Sequence, residues 1–270
     1  MRLAEIHVYP LKGARGIALD RADVLAGGLR HDRRFLLLGA DGRFLTQREI
    51  PRLALVTTLI VPHAGRGSSL AIGTPGTAPV EIPLAPDLAD SPRRTVRIWS
   101  DDVEAIDIGG PVVERLSEHL GERCSLVFMP DDVVRRVEAP YGAPGDRVGF
   151  ADAYPVLLAT SASLDDLNMR LAERVPMNRF RPNLVVDGGA AYQEEEHARV
   201  RVGGISFRMP KRCSRCQVTT VDQATAAVGK EPLRTLASYR TENNKVYFAQ
   251  NLIPDREGTI AVGDEVSYLP

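Results

Sequence analysis

The densest chemical signal in the chain is Lys211-Arg212-Cys213-Ser214-Arg215-Cys216, two cysteines in CxxC spacing among three basic side chains. A cationic setting favours the thiolate, and a thiolate is the form that binds soft metals or attacks a disulfide. The spacing admits several chemistries. A structural zinc site needs further ligands, and Cys124 and the scattered histidines offer no paired spacing to supply them. A dithiol redox pair usually opens a helix after a strand. Here the second cysteine runs into Gln217-Val218-Thr219-Thr220-Val221, whose β-branched residues predict a strand. Two inert cysteines packed as small hydrophobes fit the spacing equally well. Spacing alone leaves these readings open.

Other isolated residues are ambiguous too. A lone Arg or Asp is more often part of a surface or structural ion pair than of a site. His7, His63, His119 and His197 read as scaffold or surface, and Glu194-Glu195-Glu196 as a solvated loop. Lys12, Lys211, Lys230 and Lys245 are the only lysines, so nearly all positive charge is on arginine. Genome composition accounts for most of that bias, but a planar guanidinium also suits bidentate phosphate binding.

The elements that must position these residues read as mostly β. Arg33–Leu38 and Arg43–Thr46 flank Gly39-Ala40-Asp41-Gly42 as a hairpin. Leu53–Val61 is an apolar, β-branched run, Arg94–Trp99 alternates, and Gly-, Pro- and Ser-rich loops lie between them. This is the pattern of a small barrel or sandwich. The first helix is predicted from Pro111 to about Leu120, with Gly121 as its cap. A division between two domains is expected near 109–124, giving 1–115 and 116–270. The second half mixes strands with a few helices. Ser161–Asp166 carries N-cap hydroxyls and first-turn acids. Leu184–Val186 is a buried strand, Arg199–Met209 a hairpin turning at Gly203-Gly204, and Leu233–Tyr239 a short helix. Strands follow at Val246–Phe248 and Glu265–Tyr268.

The 270 residues carry a formal net charge of -1, which gives no electrostatic reason to expect nucleic acid or an anionic membrane as partner. The first residues lack the apolar run of a signal peptide, and no stretch approaches the ~20 apolar residues of a membrane span. Three cysteines do not make a secreted disulfide framework. A cytoplasmic location is the expectation.

The wider strings narrow the choice. RCSRCQVTTVD, KEPLRTLASYR, FAQNLI and GTIAVGDEV resemble the MOSC domain of the mitochondrial amidoxime-reducing component and its bacterial relatives. YPLKGARG, GLRHDRRFLLL and TQREIPRLALV resemble the β-barrel domain that precedes MOSC in that family, with FADAYPVLLATSASLDDLN and NRFRPNLVVDG between. The resemblance is collinear over nearly the whole chain. It implies a mixed α/β, mostly β architecture: a MOSC N-terminal β-barrel-like domain, then a MOSC β-barrel domain with a few helices.

By the same resemblance Cys216 is the catalytic metal ligand of a molybdenum cofactor (Mo-molybdopterin). Lys12 matches the family lysine of the first loop, and Gly13 stands where a serine is usual. Asp152 keeps the family acid, whereas Ala153 and Tyr154 replace small hydroxyl residues and offer only backbone groups. Arg181 and Asn183 match an R-P-N string, and Ser214 and Arg215 the positions before the metal ligand. Asn251 stands in place of a tyrosine, and His31 in place of an arginine. The set makes physical sense: Arg181 or Arg215 can clamp a phosphate bidentately with Lys12 as a point charge, and Asn183 and Asp152 can pair with pterin edges.

The activity implied is reduction of small N-hydroxylated compounds (amidoximes, hydroxylamines, N-hydroxylated bases) to the amine or amidine. Two electrons and two protons enter, and water leaves. Three cysteines are too few for a cluster held by cysteine alone, so a separate flavoprotein, ferredoxin or cytochrome would supply the electrons. The alternatives are a non-catalytic cofactor or sulfur carrier, and a thiol–disulfide oxidoreductase using Cys213 and Cys216.

Overall fold

The computed structural model describes residues 1–63, 67–84 and 91–270. Strands dominate. A ten-stranded sheet runs, by pairing, Ile17–Leu19, Arg2–Val8, Leu184–Asp187, Val156–Thr160, Lys245–Pro254, Ile205–Arg208, Arg199–Val202 and Val266–Leu269. Arg212–Arg215 and Thr241–Glu242 also pair with Lys245–Pro254. The only parallel pairing in this sheet joins Val156–Thr160 to Leu184–Asp187, through the helical crossover that parallel strands require. A four-stranded sheet orders Phe35–Gly39, Cys124–Phe128, Asp101–Ile108 and Arg93–Ile98. Two three-stranded sheets complete the described architecture, which is the mixed, mostly β fold expected.

The two halves of the sequence interleave. Arg2–Val8 lies inside the ten-stranded sheet against Leu184–Asp187, and Arg21–Leu25 pairs with Gly258–Ala261. Helix α1, Pro111–Leu120, spans position 115 and packs Val112, Leu116 and Leu120 against Leu11, Phe35 and Leu53. That 4-residue spacing is one face of a helix, and full burial of Leu116 contributes about 2 kcal/mol. Gly121, left-handed at φ 73, closes the helix. Helices α2, Ser161–Arg170, and α3, Leu233–Tyr239, bury Leu167 and Leu236 in a cluster with Phe180 and Phe248. Among the described residues, no helix is long and apolar enough to cross a membrane.

Four local expectations are corrected. Gln217–Thr220 is a 3-10 turn, not a strand. The Thr219 and Thr220 hydroxyls donate back to the Cys216 and Gln217 carbonyls at 3.0 and 2.8 Å, the local bonding by which threonine competes with a ladder. The Arg179 guanidinium then takes the Thr219 and Thr220 carbonyls. Leu53–Val61 splits into a 3-10 helix, Pro51–Leu55, and a strand, Thr57–His63, because Pro51 fits a first helical position. In α2 the cap is Thr160, whose hydroxyl accepts from Ser163 N, and no acid falls in the first turn. The acid run is solvated only at its end: Glu194 is fully buried, Glu195 pairs with Arg240 and Arg212, and Glu196 is exposed.

Candidate active site

The strand Arg212–Arg215 is held against Lys245–Pro254 with a register shift between Arg212 and Ser214. The chain leaves it through Cys216 in extended conformation, φ -124 and ψ -177. Cys216 is thereby exposed, while Cys213 is half-buried, and both are free thiols. Arg215 Nη1 donates to Cys213 Sγ at 2.8 Å, and its Nη2 to the Phe180 carbonyl at 2.8 Å. Arg215 Nε is buried without a protein partner.

Cys216 opens into a cleft lined by eleven of the twelve residues expected at a site: Lys12, Gly13, Asp152, Ala153, Tyr154, Arg181, Asn183, Ser214, Arg215, Cys216 and Asn251. His31 is the exception. It lines a different cavity with Arg30 and Arg34, where burial and those two guanidiniums pull its imidazole down to about 4. Residues 31 and 33 both have left-handed backbone, φ 70 and 48, and it is Arg33 that enters the cleft.

One wall carries Lys12, whose Nζ donates to the Phe150 carbonyl at 2.7 Å and to Asp152 Oδ1 at 2.5 Å. Burial lowers the Lys12 ammonium, and Asp152 resists that shift. Asp152 shows the reverse balance. Its surroundings push the carboxyl up, but Lys12, aided by Trp99 and Arg33, holds it well below the usual range. The Asp152 side chain still presents 67 % of its surface to solvent, so its carboxylate is available to a ligand. Gly149 allows this wall to form, since a Cβ there would sit 2.8 Å from the Arg33 carbonyl oxygen. Gly13 turns the facing loop at φ 88, and its carbonyl accepts from Gln47 Nε2 at 2.6 Å.

The opposite wall is built on Tyr9. Arg33 and Arg181 stack over its ring, with guanidinium carbons 4.5 and 4.3 Å from the centroid. Arg33 is paired with Asp32 at 2.6 Å and also donates to Asn183 Oδ1 at 3.1 Å. Burial and the neighbouring Arg33 lower the Arg181 guanidinium, against the pull of Tyr9, to about 10, and it remains cationic. Asn183 is turned to the scaffold: its amide donates to the His7 carbonyl and accepts from Leu157 N and Arg33. Asn251 likewise directs Nδ2 to the Lys211 and Arg212 carbonyls. Tyr154 is buried, with its hydroxyl on Glu138.

Three site residues escaped the sequence reading. Arg33 occupies the cleft position that the resemblance gives to His31. Arg48 reaches Cys216 Sγ at 4.0 Å, and Trp99, from the tip of the hairpin Arg93–Ile98 and Asp101–Ile108, donates to Asp152 at 3.4 Å. Arg48 lies in the string TQREIPR, but nothing local ties it to a cysteine 168 residues away. The described lining thus holds five cations, Lys12, Arg33, Arg48, Arg181 and Arg215, and a single acid, Asp152. The cleft is strongly cationic, with an accessible thiol at its floor. Among the described residues, no three of His, Cys, Asp and Glu cluster as a metal cage.

Residues 1–123 match the MOSC N-terminal beta barrel domain, and residues 145–267 match the MOSC domain. Mitochondrial amidoxime-reducing component 1 of Mus musculus is 32% identical over 285 residues, spanning 99% of this chain and 82% of that protein. Its Homo sapiens counterpart is 31% identical over the same shares. Molybdenum cofactor sulfurase of Oryza sativa subsp. japonica is 31% identical over 92% of this chain, which corresponds to 32% of that longer protein. The chain therefore belongs to the MOSC-domain family, in the arrangement that sets a MOSC N-terminal beta barrel domain ahead of the MOSC domain.

Proposed function

We propose that this protein is a molybdenum-cofactor-dependent oxidoreductase that reduces small N-hydroxylated compounds, with Cys216 as the metal ligand. The observation that carries the reading is the exposed Cys216 thiol at the floor of a cleft with five cations and one acid. The residues fit the cofactor. A thiolate is a soft ligand suited to molybdenum, and guanidiniums suit a terminal phosphate. Arg215 Nε, buried and unpartnered in the protein, is a donor that needs an acceptor from outside the chain.

Cys216 would hold the metal, Arg215 and Arg181 the phosphate end, and Lys12 a further anionic oxygen through the donor not committed to Phe150 or Asp152. Gly13, Ala153 and Ser214 would contribute backbone groups. When bound, the cofactor supplies the two-electron chemistry that removes oxygen from the N–O bond. Asp152, kept ionised by Lys12, accepts hydrogen bonds from a substrate N–H or O–H and is not a resident proton donor. Electrons come from a separate flavoprotein, ferredoxin or cytochrome.

The similarity to a molybdenum cofactor sulfurase favours one other reading, a cofactor or sulfur carrier without turnover. The deciding experiment purifies wild type, Cys216→Ala and Cys213→Ala from cells able to make the cofactor. Molybdenum and benzamidoxime reduction by a chemical electron donor are then measured. Near-stoichiometric metal and turnover in wild type and Cys213→Ala, both lost in Cys216→Ala, is the expected result. Metal without turnover identifies a carrier. Turnover that needs both sulfurs identifies dithiol chemistry, and no metal in any folded protein overturns the proposal.

A further inference from the structure

We infer that Arg48, seated on Trp99, selects substrates at this site by charge, favouring N-hydroxylated compounds that bear an anionic group over neutral ones and neutral over cationic ones. The inference rests on the reductase reading above and names the substrate class for it.

The cleft cations differ in what they are committed to. Lys12 is tied to Asp152, Arg33 to Asp32, and Arg215 to the Phe180 carbonyl and Cys213. Arg181 lies over Tyr9 and donates to Gln223. Arg48 has no hydrogen-bonded oxygen partner among the described residues, only a longer ion pair with Glu49. Its Nη1 faces Cys216 Sγ at 4.0 Å, and the nearest carboxylate oxygen paired with it, on Glu49, is 3.8 Å from Nε. Thr46 Oγ1 already donates to Glu49 through its other oxygen. Arg48 Nη1 therefore stands at the sulfur with unmet donor capacity.

A flexible arginine would select weakly, but this one is held. Its guanidinium carbon lies 5.1 Å from the Trp99 ring centroid, a cation–π seat that fixes the charge without neutralising it. Trp99 is buttressed edge-on by Phe44 at 5.3 Å and joined to Asp152 through Nε1. It sits at the hairpin tip with left-handed backbone, φ 56, and keeps 49 % of its surface exposed. The rim thus offers a fixed positive charge and an open apolar ring beside the sulfur.

The chemistry of the reaction sharpens the consequence. Reducing an amidoxime yields an amidine, which takes up a proton to become a cation, and Arg48 opposes a cation at that point. A carboxylate carried on the substrate ring pairs with it instead. Two unit charges about 6 Å apart at an effective dielectric constant of ~40 alter binding about tenfold.

The chain has one tryptophan, so intrinsic tryptophan fluorescence reports on this rim alone. Cofactor-loaded wild type, Arg48→Lys, Arg48→Gln and Arg48→Glu are titrated with benzamidoxime, its 4-carboxy analogue and its 4-trimethylammonium analogue. Trp99 emission gives binding, and chemically driven turnover gives kcat/KM, with circular dichroism and metal content as controls for folding and loading. The expected order in wild type and Arg48→Lys is anion, neutral, cation, with steps of about tenfold. It collapses in Arg48→Gln and reverses in Arg48→Glu. Absence of charge order in wild type, or an order unchanged in Arg48→Gln, overturns the inference, as does failure of all three compounds to bind. Turnover without charge order leaves the reductase reading intact, whereas charge-ordered binding without turnover removes that reading and keeps the role of Arg48.

Discussion

Arg135 Nε donates to Asp101 Oδ2 at 2.7 Å, while the two Nη atoms of the same guanidinium take the Gly149 and Asp152 carbonyls, each at 3.0 Å, and that of Ala151. Asp101 follows the hairpin tip that carries Trp99, and residues 149–152 form the wall that presents Asp152. One buried side chain, 5 % exposed, therefore joins the rim of the cleft to that wall.

Arg135→Ala leaves those carbonyls without a donor and is expected to cost about 3 kcal/mol of stability. Arg135→Lys should recover part of it, since an ammonium keeps the charge but not the fork geometry. Urea denaturation midpoints check this, and a midpoint in Arg135→Ala equal to wild type would show that the clamp carries no stability.

Tyr9 is the shared platform of Arg33 and Arg181, and its hydroxyl donates to the Pro182 carbonyl at 3.0 Å. Burial pushes that hydroxyl up to about 12, so it stays protonated. Tyr9→Phe should lose about 1 kcal/mol for the hydrogen bond while keeping the stacking face. Tyr9→Leu should also free both guanidiniums and weaken cofactor retention. Midpoints together with molybdenum content after gel filtration separate the two; equal metal retention by the two variants would refute the platform role.

The buried acid Glu194 sets a pH dependence. Burial raises its carboxyl above 4.5, against the Ser163 and Thr160 hydroxyls that bond it. An acid raised in the folded state favours folding at low pH, and that contribution is lost as pH climbs from 4.5 through the raised value. Glu194→Gln has no proton to lose, so the midpoint difference between mutant and wild type should grow in the mutant's favour as pH rises above 4.5 through the raised value. A constant difference across that range refutes the assignment.

The sequence carried elements whose signals are local. Pro111 and Gly121 bracket α1 because a first-turn proline and a left-handed cap are short-range requirements, and Gly203-Gly204 likewise turns its hairpin. Gln217–Thr220 misled because the threonine hydroxyls and Arg179, 40 residues from Thr219, outweigh β propensity. Glu194 misled because an acid run reads as solvated unless the hydroxyls that receive it are known. The resemblance supplied eleven of the cleft residues, yet it chose His31 over Arg33. One residue separates them, and a turn with left-handed backbone at both places Arg33 in the cleft and His31 in the other cavity. Arg48 and Trp99 were hidden for a different reason: Arg48 meets Cys216 and Trp99 meets Asp152 across 168 and 53 residues of sequence, contacts that only the folded chain brings together.

The Lys12–Asp152 tie predicts how the cleft responds to acid. Asp152 is depressed below its ordinary 3.8 because Lys12 outweighs the effect of its surroundings. A carboxyl depressed in the folded state stabilises the fold above 3.8, and the contribution is withdrawn as pH falls from there toward the folded value. Lys12, lowered from 10.5 by burial, works at the other end: the folded state releases its proton first, and stability rises with pH as the folded value is passed. Asp152→Asn removes the counter-charge, so the acid limb of the stability profile should become shallower and the Lys12 transition should move to lower pH. Urea midpoints from about pH 2 to about pH 10 measure both limbs. If the two limbs in Asp152→Asn match wild type, the carboxylate is screened by solvent and does not hold Lys12 charged. If only the alkaline limb moves, burial of Asp152 cancels the pull of Lys12 and its carboxyl is not depressed in the folded state.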